Sequence, residues 1–586
     1  MNIAKNHLRS TAVLSAMTLL APLGAFAAGN DGSSSAPWFN SEVNASRLDS
    51  STTANPVFCV LDSAGISRFT FGNTSTSVTV WDNSQSGDLK ILNGSFFLAY
   101  NLGFATTSTA TDNRITVSGS ESFLSCEGTL EIGLYGLNNT LELGGGADLQ
   151  ALEIFLGNGL STDPSMGCGN RIVLSGSGTT ARAYSQLIVG YNGCDNSISI
   201  TTGATMDAMS IAIGVGASSN AALGVGNSAL VSGSGSILRA YDTGISLGSI
   251  SSDNVLTVAN GGSVIAKTTL AIGLQAGSDD NSMTVTGTGS SISAESGAYV
   301  GVRGNRNSLY LADGAALNTG TLNIGYTGNA SNNNLFVVGE KTEAFIAAGV
   351  QIGASGSATT QNNHLTISDG ALVKVGNGTY APVLNIHGSN SIRFAGGFLA
   401  IQGNQTAALT SLVDTNRIEV WNAFSATWAT GILDTGSVRT LTIQYFSGAT
   451  AEADAKALTG HDGLAGYTVM YAPNTQALYG WADATSAWRG WYESPWLGTF
   501  YADCDSYVRW IWHAEHGWLW LYFPSDHEAI AWDDATGSWW YIEKDWYPAM
   551  YSYDAQSWFY YMDGSVPSRS FWSYGANAEV SESVLH

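Results

Sequence analysis

Three stretches decide the fold: NSISITTGATMDAMSIAIG (196–214), NVLTVANGGSVIAKTTLAIG (254–273) and NSLYLADGAALNTGTLNIG (307–325). Each opens on Asn and places apolar residues two and four positions later. Another follows near the tenth position, and an alternating apolar pair and a Gly close the unit. In the third copy the apolar set is Leu309, Leu311, Leu317, Leu322 and Ile324. Alternation within short runs is strand periodicity, and the Gly and Asn between runs mark turns. The closing glycines are Gly133, Gly157, Gly190, Gly214, Gly248, Gly273, Gly301, Gly325 and Gly353, spaced by 24 to 34 residues. Three short strands and three turns fill such a spacing. One repeat is then a full coil of a right-handed parallel β-helix solenoid, its apolar residues pointing inward. Coils stack at about 4.8 Å, so roughly ten to twelve of them predict a rod of about 50–60 Å. A β-sandwich of hairpins is the competing architecture; the repeated period and the recurring Asn favour the solenoid.

Asparagines recur at the repeat openings, at 170, 196, 220, 254, 281, 307 and 334. Asn tolerates left-handed backbone, and its amide can bond the same amide one coil on, so a structural ladder is expected here and not a ligand set. Cys168 in CGN and Cys194 in CDN each stand two residues before such an Asn. Equivalent sites on adjacent coils lie about 4.8 Å apart, inside the Cα window of a disulfide. A Cys168–Cys194 bridge is the preferred reading, two buried free thiols the alternative. Cys59, Cys126 and Cys504 have no partner that the sequence identifies.

The opening MNIAKNHLRSTAVLSAMTLLAPLGAFAAGN reads as a secretory signal. Lys5 and Arg9 make a positive start, residues 11–23 an apolar run too short to span a bilayer, and Ala25-Phe26-Ala27 a cleavage site near Ala27. No transmembrane helix is expected later in the chain. The net charge of −24 argues against nucleic acid and anionic lipid as partners. The chain divides into a signal peptide (1–27), an N-terminal cap (28–75), β-helix repeats (76–400), a C-terminal cap and transition (401–475), an aromatic β-hairpin module (476–575) and a tail (576–586).

The LTVANGGSVIA…LAIG units resemble the passenger repeats of bacterial autotransporters and related exported bacterial surface proteins. That resemblance implies a cell-surface or secreted bacterial protein. After the repeats comes an aromatic region ending SESVLH, not the translocator barrel of that family, so self-export through its own barrel is not expected.

Catalysis on a β-helix would need paired carboxylates, or a base beside Lys or Arg, on one face. Asp279-Asp280 and Arg303…Arg306 read as solvated turns, and Asp313 and Asp369 as turn residues before Gly. His364 and His387 have no companions at metal spacing, and no cofactor motif appears. The protein reads as non-enzymatic; a secreted polysaccharide lyase or glycoside hydrolase with a carbohydrate-binding module is the runner-up.

From Trp481 to Tyr574 lie 14 of the chain's 18 tryptophans. WIWHAEHGWLWLYF (510–523), AIAWDDATGSWWYI (529–542) and AMYSYDAQSWFYYM (549–562) each give aromatic strand, polar turn, aromatic strand. Such β-hairpins place rings on both faces. Many rings are claimed by the module's own core; those turned outward suit stacking on sugar faces. The glycan candidates are Trp518, Trp520, Trp539, Trp540, Tyr541, Trp558 and Tyr560. A membrane barrel is disfavoured by short strands interrupted by acidic residues. The hairpins are similar in chemistry to Gram-positive cell-wall-binding repeats, without that family's GxMxTGW element. HAEH (513–516), with His527 nearby, lacks a scaffold for tetrahedral zinc, so no metal is expected.

Overall fold

The computed structural model describes residues 86–585 apart from 218–222, 357–358, 423–426, 434–439, 473–484, 489–490, 503–509, 523–527, 563 and 566–567. Before residue 86 it describes the strands Arg47–Leu48, Phe58–Asp62, Arg68–Thr70 and Ser77–Val80. The signal segment, Asn220, Cys504 and His527 therefore lie outside the described residues.

The chain forms a parallel β-solenoid of about 12 turns followed by an antiparallel hairpin sheet. Each coil lays down three strands on three faces. The first face is a sheet of 15 strands, and the other two merge into one of 24 because strands such as Thr180–Tyr191 and Thr205–Val215 run round the corner between them. Parallel register stacks like on like. Ile198, Ala229, Leu256, Met283, Leu309, Leu335, Leu365 and Ile392 form one inward column. All of these are buried, within a core cluster running from Leu89 to Ala472. The strands Phe58–Asp62 and Arg68–Thr70, in the segment expected to be a cap, already pair in parallel with Asp88–Leu92 and Phe96–Ala99. They extend the solenoid.

A column of eleven buried asparagines stands at the coil openings: 113, 139, 170, 196, 227, 254, 281, 307, 333, 363 and 390. Each Nδ2 donates to Oδ1 of the next at 2.9–3.3 Å. Asn227, which the sequence reading did not name, stands between Asn196 and Asn254. One expected member needs correction: Asn333, not Asn334, carries the ladder. Asn334 is the first residue of its strand and faces outward. The left-handed residue is also not the ladder Asn but its predecessor, as at Asp195, Asp253 and Asn332, with φ of 54°, 59° and 59°.

The nine closing glycines all take positive φ, from 64° to 81°. At each, an added Cβ would overlap the ladder amide two coil openings further on, as Gly214 would with Asn254 and Gly301 with Asn333. Glycine and asparagine in the repeat are thus one device: the missing side chain makes room for the amide. Cys168 and Cys194, beside this column, form a disulfide with Cα atoms 4.5 Å apart, while Cys126 is a buried free thiol.

The solenoid closes by changing strand direction. Phe398–Gln402 pairs antiparallel with Tyr467–Tyr471, which pairs antiparallel with Thr442–Tyr445. Helices Thr406–Asp414 and Ala451–Thr459 flank these strands. The buried His461 ties this segment down, its ring nitrogens 2.8 Å from Glu343 Oε1 and from the Gly370 carbonyl.

Candidate functional site on the aromatic sheet

Strands from Thr485–Trp488 to Ala578–Ser581 make an eleven-stranded antiparallel sheet in which every strand neighbours the next in sequence. Alternation sorts the rings. One face buries Tyr492, Phe500, Ile511, Leu519, Ala531, Trp540, Ile542, Met550, Phe559, Tyr561 and Phe571. This face folds on itself: Trp540 stacks on Phe571, three strands away, with centroids 5.6 Å apart.

Five hairpin turns share one construction. The residue opening each turn, Ser494, His513, Asp533, Ser552 or Ser573, accepts a backbone N–H from two or three residues on. A left-handed residue closes each: Gly498, Gly517, Gly537, Gln556 or Asn577. His513 is therefore a turn acceptor equivalent to a serine. Its Nδ1 takes the N–H groups of Glu515 and His516, and its Nε2 bonds the Leu497 carbonyl.

His516 belongs to a buried network. Arg569 Nη1 donates to its Nδ1 at 3.1 Å, which fixes the proton on Nε2 facing the Tyr547 hydroxyl at 2.9 Å. Arg569 also grips Asp533 through two bonds of 2.7 and 3.2 Å and Glu582 at 2.7 Å. Burial, then His513 and Arg569, hold His516 well below the ordinary imidazole range, so it is neutral. Among the described residues no group of three His, Cys, Asp or Glu could hold a metal ion.

The opposite face carries the remaining rings in cross-strand rows. Trp510, Trp520, Trp532 and Trp539 pair in succession, as do Tyr541, Tyr551 and Trp558. Tyr560 pairs with Trp572. Neighbouring rings meet edge to face, Trp520–Trp539 at 5.5 Å and Tyr551–Trp558 at 5.5 Å. Trp518 is 48% exposed, Trp539 36%, Tyr560 43% and Trp572 39%. Tyr541 spends its hydroxyl on Glu528 and Glu543, at 2.7 and 3.2 Å. Burial and these carboxylates push its phenol upward.

Six of the seven ring candidates thus share one face: Trp518, Trp520, Trp539, Tyr541, Trp558 and Tyr560. Trp540 is the exception and is corrected: fully buried, its Nε1 donates to Thr536 Oγ1 at 3.1 Å. The small Ala531 across the strand leaves room for the indole in the core. Sequence reasoning missed the exposed Trp572. Superimposing the turns at their left-handed residues, about 20 positions apart, would have placed it.

The chain matches no protein-family model, no curated protein and no solved structure.

Proposed function

We propose that this is an exported, non-enzymatic surface or extracellular protein. Its solenoid serves as a stalk, and its aromatic sheet binds envelope or extracellular glycans. The observation that carries this reading is the one-sided ring surface. The module has a complete core on one face, yet places Trp518, Trp539, Tyr560 and Trp572 exposed on the other. Cross-strand pairing engages the edges of these rings, as at Trp520–Trp539, and leaves ring surface in water on which sugar faces stack while tyrosine and carboxylate oxygens bond hydroxyls. Export is supported by the signal-like first 27 residues and by the disulfide, which persists in oxidising compartments. A stalk of an autotransporter-passenger type agrees with the repeat pattern and with coils that end in short turns.

The test is retention of the full-length protein on insoluble polysaccharides and purified bacterial envelope. Trp518→Ala combined with Trp539→Ala is expected to reduce retention at least tenfold while circular dichroism shows the sheet still folded. Retention on no polymer and no envelope preparation, or retention indifferent to the double substitution, rejects the binding role.

A further inference from the structure

At its C-terminal end, the first face of the solenoid carries a cleft of about 480 Å³, within the roughly 300–1,000 Å³ range of small-molecule sites. Coil stacking builds its floor. His364 stands in register with Ser391, and Arg393 with Glu419 one coil further on. His364 Nδ1 lies 2.8 Å from Ser391 Oγ, and Arg393 Nε donates to Glu419 Oε2 at 2.6 Å. The guanidinium of Arg393 also covers the ring of Trp428 at 5.1 Å. Trp428 sits on Thr427–Thr430, the strand antiparallel to Ile418–Asn422.

Arg417 reaches the cleft through a helix end. After Thr406–Asp414 the N–H of Asn416 bonds the Val413 carbonyl and that of Arg417 the Leu412 carbonyl, at 3.0 and 2.9 Å. Asn416 between them takes φ 58°. This paired, left-handed ending reverses the chain and sets Arg417 in the cleft wall.

The charges do not balance. Two guanidiniums, Arg393 and Arg417, face one carboxylate, Glu419. Among the described residues no carboxylate pairs with Arg417, while Arg393 already holds Glu419. His364 adds no charge, since burial, then Arg393, lowers it from 6.5 to about 3. A local surplus of positive charge in a chain of net charge −24 is a selective feature. The same low basicity makes His364 a weak proton acceptor, which favours binding over nucleophilic chemistry at Ser391.

We propose that this cleft binds a uronate, a pyranose ring bearing a carboxylate. Arg417 takes the carboxylate through its planar fork. Glu419 accepts ring hydroxyls, and the sugar packs beside Trp428. The site lies on the solenoid and is separate from the ring surface of the aromatic sheet. Its ligand is a free uronic acid or a residue of an acidic polysaccharide.

Calorimetry on the full-length protein tests this with D-glucuronate, D-glucose and an oligogalacturonide. Glucuronate or the oligomer is expected to bind at least tenfold more tightly than glucose. Arg417→Ala is expected to remove that preference at an unchanged melting temperature. Arg417→Gln, closer in size, is the second variant should Ala disturb the helix end. Tighter binding of the oligomer identifies a polymer ligand, and tighter binding of the monomer a free sugar. Equal binding of glucose and both uronates, or a carboxylate preference that survives both Arg417 variants, overturns the proposal. So does a preference lost in the Trp518→Ala, Trp539→Ala double variant, which would move the site to the aromatic sheet.

Discussion

The solenoid and the aromatic module are both β-structures with alternating strands, yet they spend their residues in opposite ways. The solenoid repeats small things. Its core is aliphatic columns, its seam is an amide ladder, and its outer rows are largely Ser, Thr and short apolar residues. The module is built from large rings on both faces, and it buries the charged pair Arg569–Asp533. Adjacent coils supply each other's core and hydrogen bonds, so any coil is like the next. In the module, by contrast, single long-range contacts tie distant hairpins together: Trp540 stacks on Phe571 and Asp533 pairs with Arg569. Periodicity therefore protects the solenoid from single losses in a way that the module does not share.

The largest effect is expected where that protection is absent. Arg569→Met leaves Asp533 buried and unpaired, and removing one partner of such a pair costs about 3–5 kcal/mol. Denaturation followed by tryptophan fluorescence should show the module melting early while the far-ultraviolet signal of the solenoid stays. Simultaneous loss of both would mean that the two regions unfold as one.

A smaller effect is expected at the Gly–Asn device. Gly214→Ala combines φ of +74° with overlap on Asn254, a penalty of roughly 2–3 kcal/mol. Asn254→Ala alone strands the backbone N–H of Asn227, which donates to Asn254 Oδ1 at 3.0 Å, costing about 1–3 kcal/mol. The double variant should be less destabilised than the sum, because the overlap disappears with the amide. Strict additivity in urea midpoints would break the claim that glycine and asparagine act together.

Mild acid gives the smallest effect. As pH falls below 6.5 the unfolded chain protonates at His364, whereas the folded solenoid resists until about 3. Stability present at neutral pH is thus lost on acidification, by up to about 2 kcal/mol between pH 6.5 and 5. His516 acts in the same direction in the module. His461 runs the other way. Burial opposes its charge, but Glu343 and the Gly370 carbonyl raise it overall, so its contribution is full below 6.5 and fades as pH rises. His364→Gln should flatten the acid slope of the solenoid and leave that of the module unchanged.

The solenoid was legible because its signal repeats. The phase of the ladder was less so, since NNN at 332–334 offers three asparagines. Only the inward alternation resolves them: two and four residues after Asn333 come Leu335 and Val337 of the solenoid core, whereas the residue two after Asn334 is Phe336, buried outside that core beside the Tyr310 ring. The same rule finds Asn227 through Ala229 and Val231. In the module, adjacent rings hid which one was core. Trp540 is inward because Ala531 faces it, a fact of strand pairing and not of local sequence. His513 was obscured by resemblance to a metal motif, though its turn is built like those of Ser494 and Asp533. Helix Ala451–Thr459 has nine residues, too few to declare itself without the packing of Ala451 and Ala455.

The ten amide bonds of the ladder all run in one sense, from Nδ2 of an earlier coil to Oδ1 of a later one. Each side-chain carbonyl consequently points back toward the start of the rod, and the dipoles add instead of cancelling, as they do along a helix. The solenoid is therefore electrically polar along its axis without a single formal charge in the column. Its negative end lies at Asn113 and its positive end at Asn390, a residue in the wall of the uronate cleft. A stack of uncharged side chains thus adds to the field that an anion would meet there.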